Sequence, residues 1–138
     1  MYFITICTQN KEKIFGEITN VGAHCMCPNR ESNTKMILSE YGKIVEEEIS
    51  KTNKIRENIE INEYVIMPNH VHMILVFPQE QCNLSAVVGS YKSYVSKMFH
   101  MEHPGVPLWQ RSFYDHVIRD EAAYLEIKRY IRENPLKW

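Results

Sequence analysis

The stretch that decides the fold runs from residue 59 to residue 77 and reads IEINEYVIMPNHVHMILVF. Both halves are rich in β-branched and aromatic residues, which favour strands. Pro68 and Asn69 stand between the halves, and both residue types are common in tight turns. Two strands joined this closely pair as an antiparallel hairpin, because a parallel crossover needs a dozen or more residues. The sequence therefore predicts an antiparallel sheet around this hairpin.

Two histidines, His70 and His72, begin the second strand of the hairpin. Side chains alternate between the faces of a strand, so the two imidazoles share one face and Val71 points to the other. A pair of imidazoles on a rigid strand is a good site for one divalent metal ion. Histidines also occur at the rim of a sheet, bonded only to backbone or water. The pair by itself leaves both interpretations open.

The segments on either side of the hairpin carry strand and helix patterns in turn. Strands are predicted over 2–8 and 113–118, with a weaker one over 14–18, and residues 20–34 are predicted to form a loop or hairpin tip. Apolar residues recur at helical spacing in three segments, which predict amphipathic helices over 39–52, 84–100 and 121–133. The predicted N-caps of these helices are Ser39, Ser85 and Asp120.

This order of elements predicts an α+β fold. An antiparallel β-sheet of ferredoxin-like type with helices packed on one face accommodates it most simply. The chain has 138 residues, of which 44% are hydrophobic and 24% charged, values that are typical of one globular domain covering 1–138. The longest apolar runs have the length of a strand, and a membrane helix needs roughly 20 residues. Residues 1–6 are predicted to be a strand rather than a signal peptide.

Charge and cysteine content narrow the classes of function. A formal net charge of -1 argues against a nonspecific, charge-driven nucleic-acid binder. A specific one is compatible, because basic residues outnumber acidic ones between 81 and 119. Cys25 and Cys27 follow His24 and suggest a zinc knuckle, but the spacing is unusual and no second cysteine pair follows. Unpaired thiols in a reducing cytoplasm are the favoured interpretation of the cysteines.

The last predicted helix brings a second chemical pattern. Tyr130 and Asn134 are four residues apart, so on a helix they lie on the same side, one turn apart. A helix end with a phenol and an amide oxygen could face the histidine strand. Taken singly, Tyr130 is typical of a core or boundary tyrosine and Asn134 of a helix C-cap.

Three blocks of sequence, taken together and in this order, resemble the single-tyrosine HUH transposases, and most closely their REP-associated tyrosine transposase branch. The blocks are 64–72 (YVIMPNHVH), 108–119 (LWQRSFYDHVIR) and 130–135 (YIRENP), with weaker agreement at 2–6 (YFITI) and 15–18 (FGEI). The resemblance covers nearly the whole chain. It implies a ferredoxin-like fold and a cytoplasmic, nucleoid-associated bacterial nuclease that acts on single-stranded or hairpin DNA with a divalent metal, Mg²⁺ or Mn²⁺.

The same resemblance assigns roles to particular residues. It implies that His70 and His72 are metal ligands, that Tyr130 is the nucleophile and that Asn134 is the third ligand. Basic residues that are candidates for contacts with DNA phosphates are Lys92, Arg111, Arg119 and His116. The family includes both monomers and homodimers, and the sequence does not choose between them.

Two other classes of function are kept as alternatives. One is a catalytically inactive hairpin-DNA-binding domain of the same fold. The other is a metal-dependent hydrolase of small phosphoesters, in which Tyr130 is structural. A covalent protein–DNA adduct distinguishes the transposase-like enzyme from both.

Overall fold

The computed structural model describes residues 1–20, 34–55, 59–77 and 83–134. The strands are β1 (Tyr2–Cys7), β2 (Gly16–Asn20), β3 (Thr34–Leu38), β4 (Glu60–Met67), β5 (His70–Val76) and β6 (Tyr114–Val117). The helices are α1 (Glu40–Ile55), between β3 and β4, α2 (Leu84–His100), between β5 and β6, and α3 (Glu121–Glu133), after β6. Within these ranges no helix combines the length and apolar character that crossing a membrane requires.

Four strands form one sheet in the order β4-β5-β1-β6, and each neighbouring pair is antiparallel. Strand β5 therefore separates two parallel strands, β1 and β4, and β1 separates β5 from β6 in the same way. These are the split β-α-β units of a ferredoxin-like sheet. The predicted α+β fold class and its antiparallel sheet are confirmed, as is the tight hairpin of β4 and β5.

The main core lies between one face of this sheet and helices α1 and α2. Val71, Met73 and Leu75 of β5 point into it, because alternate residues of a strand share a face. Buried residues from β1, β4 and the two helices complete it: Ile4, Ile6, Ile61, Ile66, Val45, Ile49, Val88, Tyr91, Val95 and Phe99. The amphipathic faces predicted for these two helices are thus buried as expected.

Helix α3 packs on the opposite face of the sheet. Ile74, which alternates with the core residues of β5, forms a second buried cluster with Ile118 and Ile131. The prediction that helices pack on one face describes α1 and α2, whereas α3 is an addition on the other face. The reason is visible in β5, which is apolar on both faces beyond His72 and therefore needs cover on both sides.

The N-cap residue is predicted correctly for two of the three helices. Ser39 Oγ accepts a hydrogen bond from Gly42 N (3.2 Å), and Asp120 Oδ1 accepts one from Ala123 N (2.7 Å). The N-cap of α2 is Asn83, two positions before Ser85, and its side chain accepts a hydrogen bond from Ala86 N (3.2 Å). Asparagine is at least as good an N-cap as serine, so Asn83 fits this position on chemical grounds.

The sequence did not predict strand β3. Strand β3 pairs antiparallel with β2 in a separate two-stranded sheet. The loop or hairpin tip predicted over 20–34 lies almost entirely outside the described ranges. The run Met36-Ile37-Leu38 is short and does not alternate, and it leads directly into the cap of α1. Residues 21–33, including Cys25 and Cys27, lie outside the described ranges, and so does Cys82. Cys7 forms no disulfide with any described residue.

Candidate active site

The turn that precedes the histidines is fixed to the rest of the fold by backbone hydrogen bonds. The carbonyl of Asn69 accepts from Thr8 N (2.9 Å) and from the Thr8 hydroxyl (3.1 Å). The carbonyl of Pro68 accepts from Phe15 N (3.0 Å). Thr8 and Phe15 are both fully buried, so the turn rests on a rigid base.

His70 and His72 lie side by side, as predicted, with ring centroids 4.5 Å apart. The Nδ1 atom of each ring is engaged by a neighbouring side chain. A hydrogen bond of 2.6 Å joins His70 Nδ1 to Asn69 Oδ1, and one of 2.8 Å joins His72 Nδ1 to Thr5 Oγ1. Phe3 of β1 stacks on the His72 ring at 5.4 Å between centroids. Each imidazole is therefore held by a hydrogen bond at Nδ1, and the His72 ring is also held by the stacked Phe3 ring.

Burial keeps both imidazoles neutral. Burial, together with a smaller effect of the nearby His70, lowers the pKa of His72 to about 3. Burial also lowers the pKa of His70, with a smaller contribution from the Lys11 ammonium. A neutral imidazole has a lone pair for a metal ion, whereas an imidazolium has none. The electrostatics of the pair thus suit metal binding.

This pKa shift gives a prediction for stability in metal-free protein. The pKa of His72 in the folded protein is about 3, whereas in the unfolded chain it is about 6.5. Between these two pH values the unfolded state binds a proton that the folded state does not. The free energy of unfolding should therefore fall as the pH falls, by up to about 1.4 kcal/mol per pH unit from this group. Urea denaturation with chelator between about pH 7 and pH 5 measures it. His72→Gln should show a shallower slope, and parallel slopes for the two proteins would contradict the assignment.

Helix α3 places Tyr130 against the histidines. The Tyr130 ring lies 5.5 Å from the His72 ring and 6.2 Å from the Phe3 ring, centroid to centroid. The next residue, Ile131, is buried in the cluster beneath the helix, which fixes the direction in which Tyr130 projects. Tyr130 itself is 45% exposed, so its phenol is open to a large ligand.

Ion pairs fasten α3 to β4 beside this site. The carboxylate of Glu63 accepts from Arg132 Nη2 (3.2 Å) and lies 3.5 Å from Lys128 Nζ. Lys128 and Arg132 are four residues apart on α3, so one carboxylate holds two successive turns of the helix. The buried Ile131 and this ion-pair cluster together set the position of α3 on the sheet.

Glu63→Gln should therefore weaken the attachment of α3. We expect a loss of about 0.5–1 kcal/mol in the free energy of unfolding, because the pairs are partly exposed and screened by salt. The matched control is Glu126→Gln, the same change at an exposed position of α3. Urea denaturation at low and high salt distinguishes them. A Glu63→Gln loss no larger than that of the control would show that the ion pairs do not hold the helix.

Asn134 is the C-cap of α3, one turn after Tyr130, and is partly buried. In the described ranges no group of three or more His, Cys, Asp or Glu side chains is placed to hold a metal ion. The amide of Asn134 is outside those residue types. The two neutral imidazoles of β5 are donors of a type that suits a divalent ion.

The four candidate DNA contacts are dispersed. His116 of β6 is exposed and pairs with Phe3, so it lies on the same face of the sheet as the histidine pair. Arg111 and Arg119 are exposed before and after that strand. Lys92 differs, because its ammonium donates to the carbonyl of Gln110 (2.7 Å) and burial lowers its pKa. That contact ties α2 to the chain before β6.

Sequence reasoning missed the side chains that contact the histidine rings, which are Phe3, Thr5 and Asn69. Asn69 had a usable signal, since it directly precedes His70 in a turn. Thr5 had none, because its contact with His72 depends on the pairing of β1 with β5, across 67 residues of chain.

Comparisons with known proteins agree with this architecture. Residues 17–134 match the family model described as "Transposase IS200 like". An uncharacterized protein of Haemophilus influenzae is 33% identical over 158 aligned positions, which cover 99% of this chain and 81% of that protein. A REP-associated tyrosine transposase of Escherichia coli is 26% identical over 108 positions, covering 78% of this chain and 62% of the relative.

A solved structure has a similar fold. It is a REP-associated tyrosine transposase bound to a REP hairpin, and it superposes with a TM-score of 0.63 at 23% identity. The superposition covers 99% of this chain and 66% of that one. This chain thus spans 62% of the length of the E. coli transposase and 66% of that of the transposase in the solved structure.

Proposed function

This chain belongs to the IS200-like transposase family, and from that premise we propose that it nicks single-stranded or hairpin DNA and transfers the cut strand. The observation that carries the proposal is the position of Tyr130, whose ring lies 5.5 Å from that of His72. A tyrosine beside a pair of neutral imidazoles is suited to attack on a phosphodiester. The similarity to transposases over most of the chain supports the same reaction.

His70, His72 and Asn134 are the residues that would hold a divalent metal. A divalent ion held there would supply Lewis acidity to the scissile phosphate. Mg²⁺ prefers oxygen ligands, so two imidazoles favour Mn²⁺ or tolerate several ions. The lowered pKa of both histidines keeps their imidazoles neutral at neutral pH, so each ring has one nitrogen with a lone pair.

Tyr130 forms the covalent bond. Its phenolic oxygen attacks phosphorus and loses its proton, while the bond from phosphorus to the 3′ oxygen breaks and that oxygen takes up a proton. The products are a 5′-phosphotyrosine and a free 3′-hydroxyl. One phosphate ester replaces another in this step, so the energy of the bond is retained. A 3′-hydroxyl can therefore attack the phosphotyrosine and join the DNA to another strand without ATP. The partial exposure of Tyr130 admits a DNA strand at the helix surface.

The DNA would lie across the face of the sheet that α3 leaves open. β6 forms the edge of this face, and all four of its residues are exposed. His116 points to this face, and Arg111 and Arg119 flank it, so these three are the proposed phosphate contacts. Lys92 is the weakest candidate of the four, because its ammonium is engaged inside the protein.

The proposal is tested by incubating the protein with Mn²⁺ and end-labelled single-stranded hairpin DNA, then separating the products under denaturing conditions. We expect a protein–DNA adduct that forms only with metal, and peptide mass mapping should place the nucleotide on Tyr130. Binding in a native gel without an adduct would contradict nicking and indicate a binding domain. Turnover of a small phosphoester without an adduct would contradict strand transfer and indicate a hydrolase.

A further inference from the structure

Asn69 determines which nitrogen of His70 has the hydrogen. Its Oδ1 lies 2.6 Å from His70 Nδ1, and an amide oxygen only accepts hydrogen bonds. The amide is oriented by its other end, where Nδ2 donates to the carbonyl of Lys11 (3.4 Å). The Thr8 hydroxyl donates a hydrogen bond to the backbone carbonyl of Asn69. A neutral His70 therefore donates from Nδ1, which leaves the lone pair of the ring on Nε2.

Thr5 contacts the corresponding nitrogen of His72, and its hydroxyl, unlike an amide oxygen, can either accept from that nitrogen or donate to it. Its Oγ1 lies 2.8 Å from His72 Nδ1, and the two residues are direct partners in the pairing of β1 with β5. A threonine hydroxyl can accept a hydrogen bond from an imidazole N–H. Since Thr5 is on a central strand of the sheet, its hydroxyl is held in that position by the strand pairing on both sides.

We propose that Asn69 and Thr5 are positioning residues that hold both imidazoles as Nδ1–H tautomers and so present two Nε2 lone pairs to one divalent ion. The inference rests on the metal site of the proposed function. A neutral imidazole has two tautomers, and only one of them has a lone pair on Nε2. Outer partners of this kind fix the tautomer and ring direction of metal-binding histidines.

The variants to compare are matched in shape. Thr5→Val removes the hydroxyl and keeps the branched side chain, whereas Thr5→Ser keeps the hydroxyl. Asn69→Ala removes the acceptor, whereas Asn69→Asp keeps an acceptor oxygen beside His70 Nδ1. Circular dichroism and thermal unfolding confirm that each variant is folded before the other measurements are made.

The first readout is ¹⁵N NMR of the imidazoles in metal-free protein, which reports the tautomer without any activity. We expect Nδ1–H at both histidines in the wild type, in Thr5→Ser and in Asn69→Asp. Thr5→Val should give mixed tautomers at His72, and Asn69→Ala should do so at His70. The second readout is Mn²⁺ titration by calorimetry, in which Thr5→Val and Asn69→Ala should bind about 10-fold more weakly or worse, with Thr5→Ser close to wild type.

Two results would overturn the inference. One is a wild-type protein in which His72 or His70 has its hydrogen on Nε2. The other is a pair of variants, Thr5→Val and Asn69→Ala, that leave both the NMR pattern and the affinity for Mn²⁺ unchanged. Failure of the proposed function looks different: wild-type protein then shows the Nδ1–H pattern but binds no Mn²⁺, which supports the tautomer assignment while contradicting the metal site.

Discussion

Tyr130→Phe is expected to reduce formation of the covalent DNA adduct by at least about a thousandfold, to below detection. Phenylalanine keeps the ring that contacts His72 and Phe3, so the packing of α3 should be unchanged. What it lacks is the oxygen that bonds to phosphorus. The measurement is the denaturing-gel adduct assay with Mn²⁺ and hairpin DNA.

Two controls make this result specific. Tyr124→Phe removes a hydroxyl from the same helix, at a residue that packs in the cluster beneath α3, and should leave the adduct unchanged. Binding of DNA by Tyr130→Phe in a native gel should equal that of the wild type. An adduct that persists in Tyr130→Phe would mean that another side chain is the nucleophile. Loss of DNA binding in Tyr130→Phe would mean that the phenol acts in recognition.

The local parts of the fold could be predicted from sequence. The β4–β5 hairpin is encoded by Pro68 and Asn69 between two β-rich runs, and the helices by apolar spacing and caps such as Asp120. The strand order could not be derived from the residues alone, because β1 and β5 are distant in sequence and many pairings satisfy the same pattern. The face occupied by α3 was missed for a related reason. An apolar run such as that of β5 shows that both faces are buried but not by which helix.

In the site, too, the local features could be predicted from sequence, whereas contacts between distant segments could not. His70 and His72 were expected on one face because the period of a strand is two, and the structure places them so. The approach of Tyr130 to His72 was a hypothesis about two distant segments, and the structure brings the two rings together. Whether Tyr130 and Asn134 perform the implied chemistry stays a prediction. Thr5 had no motif of its own, because its position is a property of the sheet rather than of its neighbours in sequence.

A second large effect is expected at Gly42, in the first turn of α1. A Cβ atom at this position would lie 2.1 Å from the carbonyl oxygen of Phe15 and 3.1 Å from Leu38 Cδ2. The Phe15 backbone cannot easily move away, since its carbonyl accepts from Ser39 N (2.8 Å) and its N–H donates to Pro68 (3.0 Å). Gly42→Ala should therefore lower the free energy of unfolding by about 3 kcal/mol or more.

Gly89 in α2 is the matched control, because a Cβ there would meet nothing within 4 Å. Gly89→Ala should raise the free energy of unfolding by about 0.5–1 kcal/mol, since alanine is the better helix former. The same substitution in two helices is thus expected to have opposite signs, which urea denaturation measures directly. A neutral or stabilising Gly42→Ala would mean that α1 does not approach Phe15 as described. If Gly42→Ala is folded but its Phe15 backbone is displaced, the Pro68 turn that bonds to Phe15 should move as well. The affinity for Mn²⁺ should then fall together with the free energy of unfolding.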